Sequence, residues 1–266
     1  MDNKIRPGIV WVIVIAFMVH LSLKAQTTIQ PRQMDYSYGG VLYNEEYTVQ
    51  VDLQSSGYKL GYRKGTIKKY YLTKFYQLDF GHLKHPKEYK QSLRTQSILH
   101  NITSANGFIF GKQNSFFALR GGIGAKRYFS EKAKRKGISV ALTYEGGPSL
   151  GITKPYYLDI RRYNGDRYFV KAEKYSEANR EQFLDLNSIA GSASTLRGLT
   201  ELNLIPGIQA KGAINFTFGE VEEYIKSLEA GLMIDLYARK IPIMIDAPNS
   251  AYFINFYLGI QLGRRK

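Results

Sequence analysis

The run Asp79-x-x-His82-x-x-His85 sets a carboxylate and two imidazoles close together, the residue types from which a metal site or a general base is built. His100 is the remaining histidine beyond residue 25, so lipid-modifying or proteolytic chemistry would have to draw on these three. On a strand, positions 82 and 85 point to opposite faces, and Pro86 ends the strand. A basic strand-to-turn junction is therefore the better reading. Gly147-Pro148-Ser149-Leu150-Gly151 matches the G-x-S-x-G of a nucleophile elbow by letter. The elbow requires a strand-to-helix turn, and Ser149 lies inside a continuous strand pattern. Cys 0 excludes disulfides, zinc–thiolate sites and thiol nucleophiles. No glycine-rich phosphate loop, metal-spaced cluster or dinucleotide fingerprint is present, so no catalytic residue, metal or cofactor is assigned.

The charges with a definite place are Asp79, Arg120, Glu145, Lys211, Glu229 and Asp235, each on the polar face of a segment that alternates with period 2. In a closed small barrel they would pair into an internal network. The sharper alternative is a narrow ion or solute path lined by Glu229 and Asp235.

The alternation is clearest in Leu228, Ala230, Leu232, Ile234, Leu236 and Ala238, opposite Ser227, Glu229, Gly231, Met233, Asp235 and Tyr237. Tyr252, Ile254, Phe256, Leu258, Ile260 and Leu262 share one face near the C-terminus, against Asn255, Gly259, Gln261 and Gly263. Nine strands are predicted, over 45–54, 57–64, 66–82, 97–111, 115–129, 137–153, 200–218, 224–240 and 250–264. Several are far longer than the ~5–6 residues of a soluble strand and match the ~9–11 that cross a bilayer. Backbone groups in lipid must all be paired, so such strands must close on themselves. The predicted fold is all-β, an antiparallel transmembrane β-barrel. Single-chain bacterial barrels have an even strand number. A short strand near Tyr36 to Leu42 would give ten, the preferred count, and merging or demoting an N-terminal strand would give eight. A soluble lipocalin-like barrel shows the same alternation with inside and outside exchanged; strand length and the N-terminus favour the membrane form.

The N-terminus reads as a secretory signal. Lys4 and Arg6 precede an apolar run from Gly8 to Leu23, and Ala25 then meets the polar Gln26, so residues 1–25 form the signal, cleaved between Ala25 and Gln26, and 26–266 the barrel domain. The alternative, an uncleaved anchor, has a short apolar run for a span. With a periplasmic C-terminus, strand parity makes 154–199 a long extracellular loop, with a short helix over Ser176–Leu186. The same parity puts 83–96 and 130–136 in the periplasm as basic turns, carrying Lys84, Lys87, Lys132, Lys134, Arg135 and Lys136. A net charge of +15 predicts polyanionic partners. In an envelope protein these are outer-membrane lipid and lipopolysaccharide phosphates, together with other envelope proteins, and not nucleic acid.

Several stretches resemble a family of outer-membrane β-barrel proteins from Bacteroidetes-type bacteria. They are Leu83-Lys84-His85-Pro86-Lys87-Glu88, Phe110-Gly111-Lys112-Gln113-Asn114-Ser115-Phe116-Phe117, Gly146-Gly147-Pro148-Ser149-Leu150-Gly151, Lys154-Pro155-Tyr156-Tyr157, Leu204-Ile205-Pro206-Gly207 and Phe256-Tyr257-Leu258-Gly259. The chain departs from the common barrel ending on an aromatic residue, closing instead on Arg264-Arg265-Lys266. The resemblance implies an outer-membrane barrel. By analogy with small basic barrels such as the PorT-like family, it also implies service in protein secretion or gliding machinery. The expected function is a non-enzymatic scaffold or accessory subunit of an envelope complex, with a small pore or a lipid-modifying enzyme as alternatives.

Overall fold

Where apolar and polar residues alternate over ten or more positions, the chain forms long strands whose two faces meet different surroundings. The computed structural model describes residues 43–91, 107–129, 137–164, 167–218 and 223–266. In chain order the strands are β1 (Glu45–Gln54), β2 (Gly57–Lys69), β3 (Leu72–Leu83), β4 (Lys90–Gln91), β5 (Phe108–Ile109), β6 (Asn114–Tyr128), β7 (Ser139–Pro155), β8 (Tyr157–Asn164), β9 (Arg167–Lys174), β10 (Ile189–Ser192), β11 (Asn203–Phe218), β12 (Tyr224–Tyr237) and β13 (Tyr252–Arg265). Eight of them close an antiparallel barrel in the order β1-β13-β12-β11-β7-β6-β3-β2. The first and last strands seal it, with Thr48 opposite Gly263 and Leu53 opposite Leu258.

The barrel is inside-out relative to a soluble one. Leu60, Leu78, Ile208, Ile234, Phe256 and Ile260 stand on its outer surface, exposed by 41–68%. Gln50, Asp52, Arg63, Asp79, Arg120, Asn215, Glu229 and Gln261 are buried in its interior. Two glycines leave room for interior carboxylates. A Cβ on Gly61 would collide with Oδ1 of Asp79, and one on Gly259 with Oδ1 of Asp52.

The count is eight, not ten, and the excess lies in 97–111. Only Phe108–Ile109 of that segment is a described strand, and it pairs with Lys90–Gln91 outside the barrel. Its apolar character serves another purpose, because Phe108 is buried with Leu158, Ile160, Phe183 and Ile189. The turn between β2 and β3 also moves, to 70–71, because no glycine or proline marks it. The strand expected near Tyr36 to Leu42, the signal segment with Ala25 and Gln26, His100, and Lys132, Lys134, Arg135 and Lys136 lie outside the described residues.

Removing one strand resets the parity. The connections 84–113, 156–202 and 238–251 emerge at the end of the barrel opposite the C-terminus, called here the head end. β6 ends and β7 begins at the other end, where Arg265 Nη2 donates to the Tyr128 hydroxyl at 3.3 Å. Lys84 and Lys87 therefore share an end with the long loop, contrary to the opposite sides expected for the two.

Candidate functional site: an ion-paired lumen beneath a head

The lumen is filled by side chains from every barrel strand, and its charges are paired in layers. Toward the head end, Arg120 on β6 donates through Nε and Nη2 to the two oxygens of Asp235 on β12, at 2.7 and 2.9 Å. Lys59 on β2 reaches Asp52 on β1 at 2.7 Å and Asp79 on β3 at 2.9 Å. Deeper, Arg63 on β2 and Lys211 on β11 share Glu145 on β7 and Glu229 on β12. The Arg63 distances are 3.7 and 3.3 Å and those of Lys211 are 3.1 and 3.7 Å. Neutral donors complete the shell of Glu229: the Tyr257 hydroxyl at 2.9 Å and Gln261 Nε2 at 2.8 Å. Arg63 also donates from Nε to Gln77 Oε1 at 2.7 Å and lies over the Phe75 ring, 4.1 Å from its centre.

All six charges proposed from sequence thus point into the lumen. The structure joins Arg120 to Asp235, Lys211 to Glu145 and Glu229, and Asp79 to Lys59. Asp52, Lys59, Arg63 and Tyr257 are further members. Lys59 and Arg63 fall on the polar phase of the same alternation, between Tyr58, Leu60 and Tyr62 on β2, so the signal was present in the sequence. Glu229 and Asp235 are 0% exposed, each held by a cation.

The head end carries a stopper. The loop 238–251 turns inward and buries Ile241, Ile243 and Met244 against Leu83, Phe116, Ile205 and Tyr237 from the strand ends. Asn249 ties the loop to itself, accepting from the backbone N–H groups of Ile243 and Met244 at 2.9 and 3.2 Å and donating to Met244 O at 2.9 Å. Gln113 N donates to Ile243 O at 2.8 Å, and Ile245 N to Gly111 O at 2.9 Å. Lys112 pairs with Glu88 at 2.5 Å, joining 84–91 to the same layer.

Above the stopper is a head with its own core. Its sheet has the order β10-β8-β9, and Phe183, from the α-helix α1 (Arg180–Phe183), packs on it with Phe108, Leu158, Ile160 and Ile189. The short helix expected over Ser176–Leu186 is present as the 3-10 turn Glu177–Asn179 followed by α1, with Ser176 as its cap. Arg162 on β8 grips Glu173 on β9 at 3.1 and 2.6 Å, and Asn179 donates to the same carboxylate at 3.2 Å. The Arg162 hydrogen bonds hold the Glu173 carboxyl below its ordinary range against the opposing effect of burial.

The histidine and serine motifs do not assemble a catalytic set. His82 packs between Tyr58 and Phe117 at ring distances of 5.6 and 5.0 Å, while Asp79 is inside the lumen with Lys59. His85 accepts from the Lys87 backbone N–H at 3.1 Å within its turn. Ser149 hydrogen-bonds the Tyr237 hydroxyl at 3.1 Å in the middle of β7.

A closed antiparallel barrel with an apolar skin and an ion-paired polar interior is a transmembrane β-barrel of the outer-membrane class, because only lipid stabilises that skin. No protein-family model matches the chain, and no curated protein matches it. Among solved structures it is similar to a major outer membrane protein of Thermus thermophilus (TM-score 0.40, 9% identity, 82% of this chain and 99% of that one). It is also similar to Neisserial surface protein A (TM-score 0.39, 7% identity, 84% and 97%). A third is Ail, the attachment invasion locus protein of Yersinia pestis (TM-score 0.37, 8% identity, 85% and 100%). The class rests on the distribution of side chains in this chain and not on those likenesses.

Proposed function

We propose that this barrel is a non-enzymatic platform, a scaffold or accessory subunit of a larger envelope complex such as protein secretion or assembly machinery. The observation that carries the reading is the division of labour between the two parts. The lumen is plugged twice, by ion pairs and by the 238–251 stopper, while the head is a separately cored unit held over the mouth. A barrel that transports nothing through itself acts through what its ends present. The resemblance of several stretches to a Bacteroidetes-type outer-membrane barrel family, and the analogy of that fold with small basic PorT-like barrels, support the same reading. So does the usual placing of long barrel loops on the cell's outer side. Other envelope proteins are then the partners, and the head is where they dock.

The test is purification of a tagged full-length chain in mild detergent beside a variant whose residues 158–192 are replaced by a short Gly/Ser linker. Subunits that co-elute with the intact chain and are lost from the variant, while both show the heat-shifted gel band of a folded barrel, are the expected result. An intact chain that always elutes alone overturns the platform reading.

A further inference from the structure

At the junction of barrel and head lies a cleft of 220 Å³, between the end of β7 and the chain that leads into β11. Its lining includes Lys90, Lys154, Arg197, Ser192, Ser194 and Thr195, and among the described residues no carboxylate lines it. Lys154 Nζ donates to the Thr195 carbonyl at 2.5 Å, which orders the ammonium without neutralising it. Glu201, which accepts from the Tyr157 hydroxyl at 2.8 Å, is already held by Lys174 at 2.5 Å. Three cations and three hydroxyls thus converge where a doubly charged, many-acceptor anion would satisfy them.

The wall that carries Arg197 is built for this shape. Gly198 adopts φ +81°, the left-handed region, and a Cβ there would press on Pro155 O and the Tyr157 ring at 3.0 and 3.2 Å. The turn is closed by Arg197 N donating to Ser194 O at 3.1 Å and Glu201 N to Gly198 O at 3.2 Å. The volume corresponds to roughly seven waters at ~30 Å³ each, below the ~300–1,000 Å³ of sites that enclose a whole drug-sized ligand. It suits one phosphate with its first substituents.

Depth and apolar neighbours decide the source of that phosphate. Leu204, 55% exposed on the outer face, is opposite Ile152 in the β11–β7 register. Lys154 stands two residues further along, about 7 Å of strand rise beyond the apolar band. Next to Arg197, Leu196, Leu199 and Leu202 recur at every third position with exposures of 73%, 52% and 45%. Leucines turned outward beside cations at that level are the two halves of an interfacial lipid contact.

We propose that this cleft binds the phosphate of a membrane-lipid headgroup, with Lys90, Lys154 and Arg197 as its cationic partners and Leu196, Leu199 and Leu202 against the acyl region. The site is independent of whether the head also docks a protein.

The test uses the full chain in an uncharged detergent, probed by native mass spectrometry with phosphatidylglycerol and with a phosphate-free galactolipid of the same acyl chains. The expected result is retention of phosphatidylglycerol over the galactolipid, weakened roughly tenfold per charge removed in Lys154→Gln and Arg197→Gln. A second variant, L196S with L199S, should weaken retention of phosphatidylglycerol while keeping its preference over the galactolipid. Inorganic phosphate that protects Lys154 against an amine-reactive label as well as the lipid does would overturn the lipid source and leave a soluble-phosphate site. Equal retention of both lipids, or no effect of the charge-removing variants, would overturn the site. The heat-shifted gel band confirms folding of each variant.

Discussion

The interior residues are charged, yet their arrangement leaves little room to change one alone. Arg120 and Asp235 are both fully or nearly fully removed from solvent and bind each other through two parallel hydrogen bonds. Removing one partner leaves the other desolvated without compensation, a loss of about 3–5 kcal/mol in buried pairs. Replacing both by apolar residues of similar volume is far milder. Arg120→Ala should therefore lower the midpoint of urea unfolding in lipid vesicles by much more than the pair Arg120→Met with Asp235→Leu. Equal losses in the two would show that an apolar pair of matching volume cannot replace the ion pair. At the same scale the alternation identified which residues share a face, and the structure turns that face inward. Arg120 and Asp235 are 115 positions apart, so their pairing follows from strand order and register and not from any local spacing.

Among the elements, the stopper and the head depend on few polar ties. Asn249 satisfies two backbone donors and one acceptor of the loop 238–251. Asn249→Ala leaves these groups to water and should loosen the loop by about 1–3 kcal/mol. The measurement is protease cleavage within 238–251, which should accelerate while the heat-shifted band persists. In the head, the lowered pKa of Glu173 has a definite sign. A carboxylate with a depressed folded-state pKa stabilises the fold above its ordinary value of 4.5, and that stabilisation is lost as pH falls through the lower folded value. Amide protection in β8 and β9, taken relative to the intrinsic exchange rate at each pH, should thus fall in acid below about pH 4.5, and Glu173→Gln should remove most of that pH dependence. Exchange that is equally acid-sensitive in the variant would place the effect elsewhere. The head was largely illegible in sequence because its strands are short. Phe108 to Phe110, the apolar run that closes its core, mimics the end of a barrel strand.

For the whole molecule, the apolar skin makes depth in the bilayer a measurable quantity. Leu258, 56% exposed, is near the middle of β13, and Tyr252, 58% exposed, is at its head-end limit. Leu258→Arg should cost about 2–4 kcal/mol of folding into vesicles, and Tyr252→Arg about 0–1. Equal small costs would contradict immersion of the belt.

That the chain forms long alternating strands, and which residues share a face, follow from the linear sequence, because a period of two assigns every side chain to one of two faces whatever its neighbours; strand length and the N-terminal segment favoured the membrane form, and the structure shows which face is inside. The predicted bounds of β1 coincide with the structure, and those of β6, β7 and β13 differ from it by one or two residues. Strand number, the end at which each loop emerges, and the partners of each buried charge were decided only by tertiary structure. A closed barrel must balance the shear of all its strands at once, and one segment withdrawn into the head moves Lys84 and Lys87 to the opposite end. The cleft of Lys154 and Arg197 belongs to that same level: its two cations are 43 positions apart and meet only where the head folds back on the barrel rim.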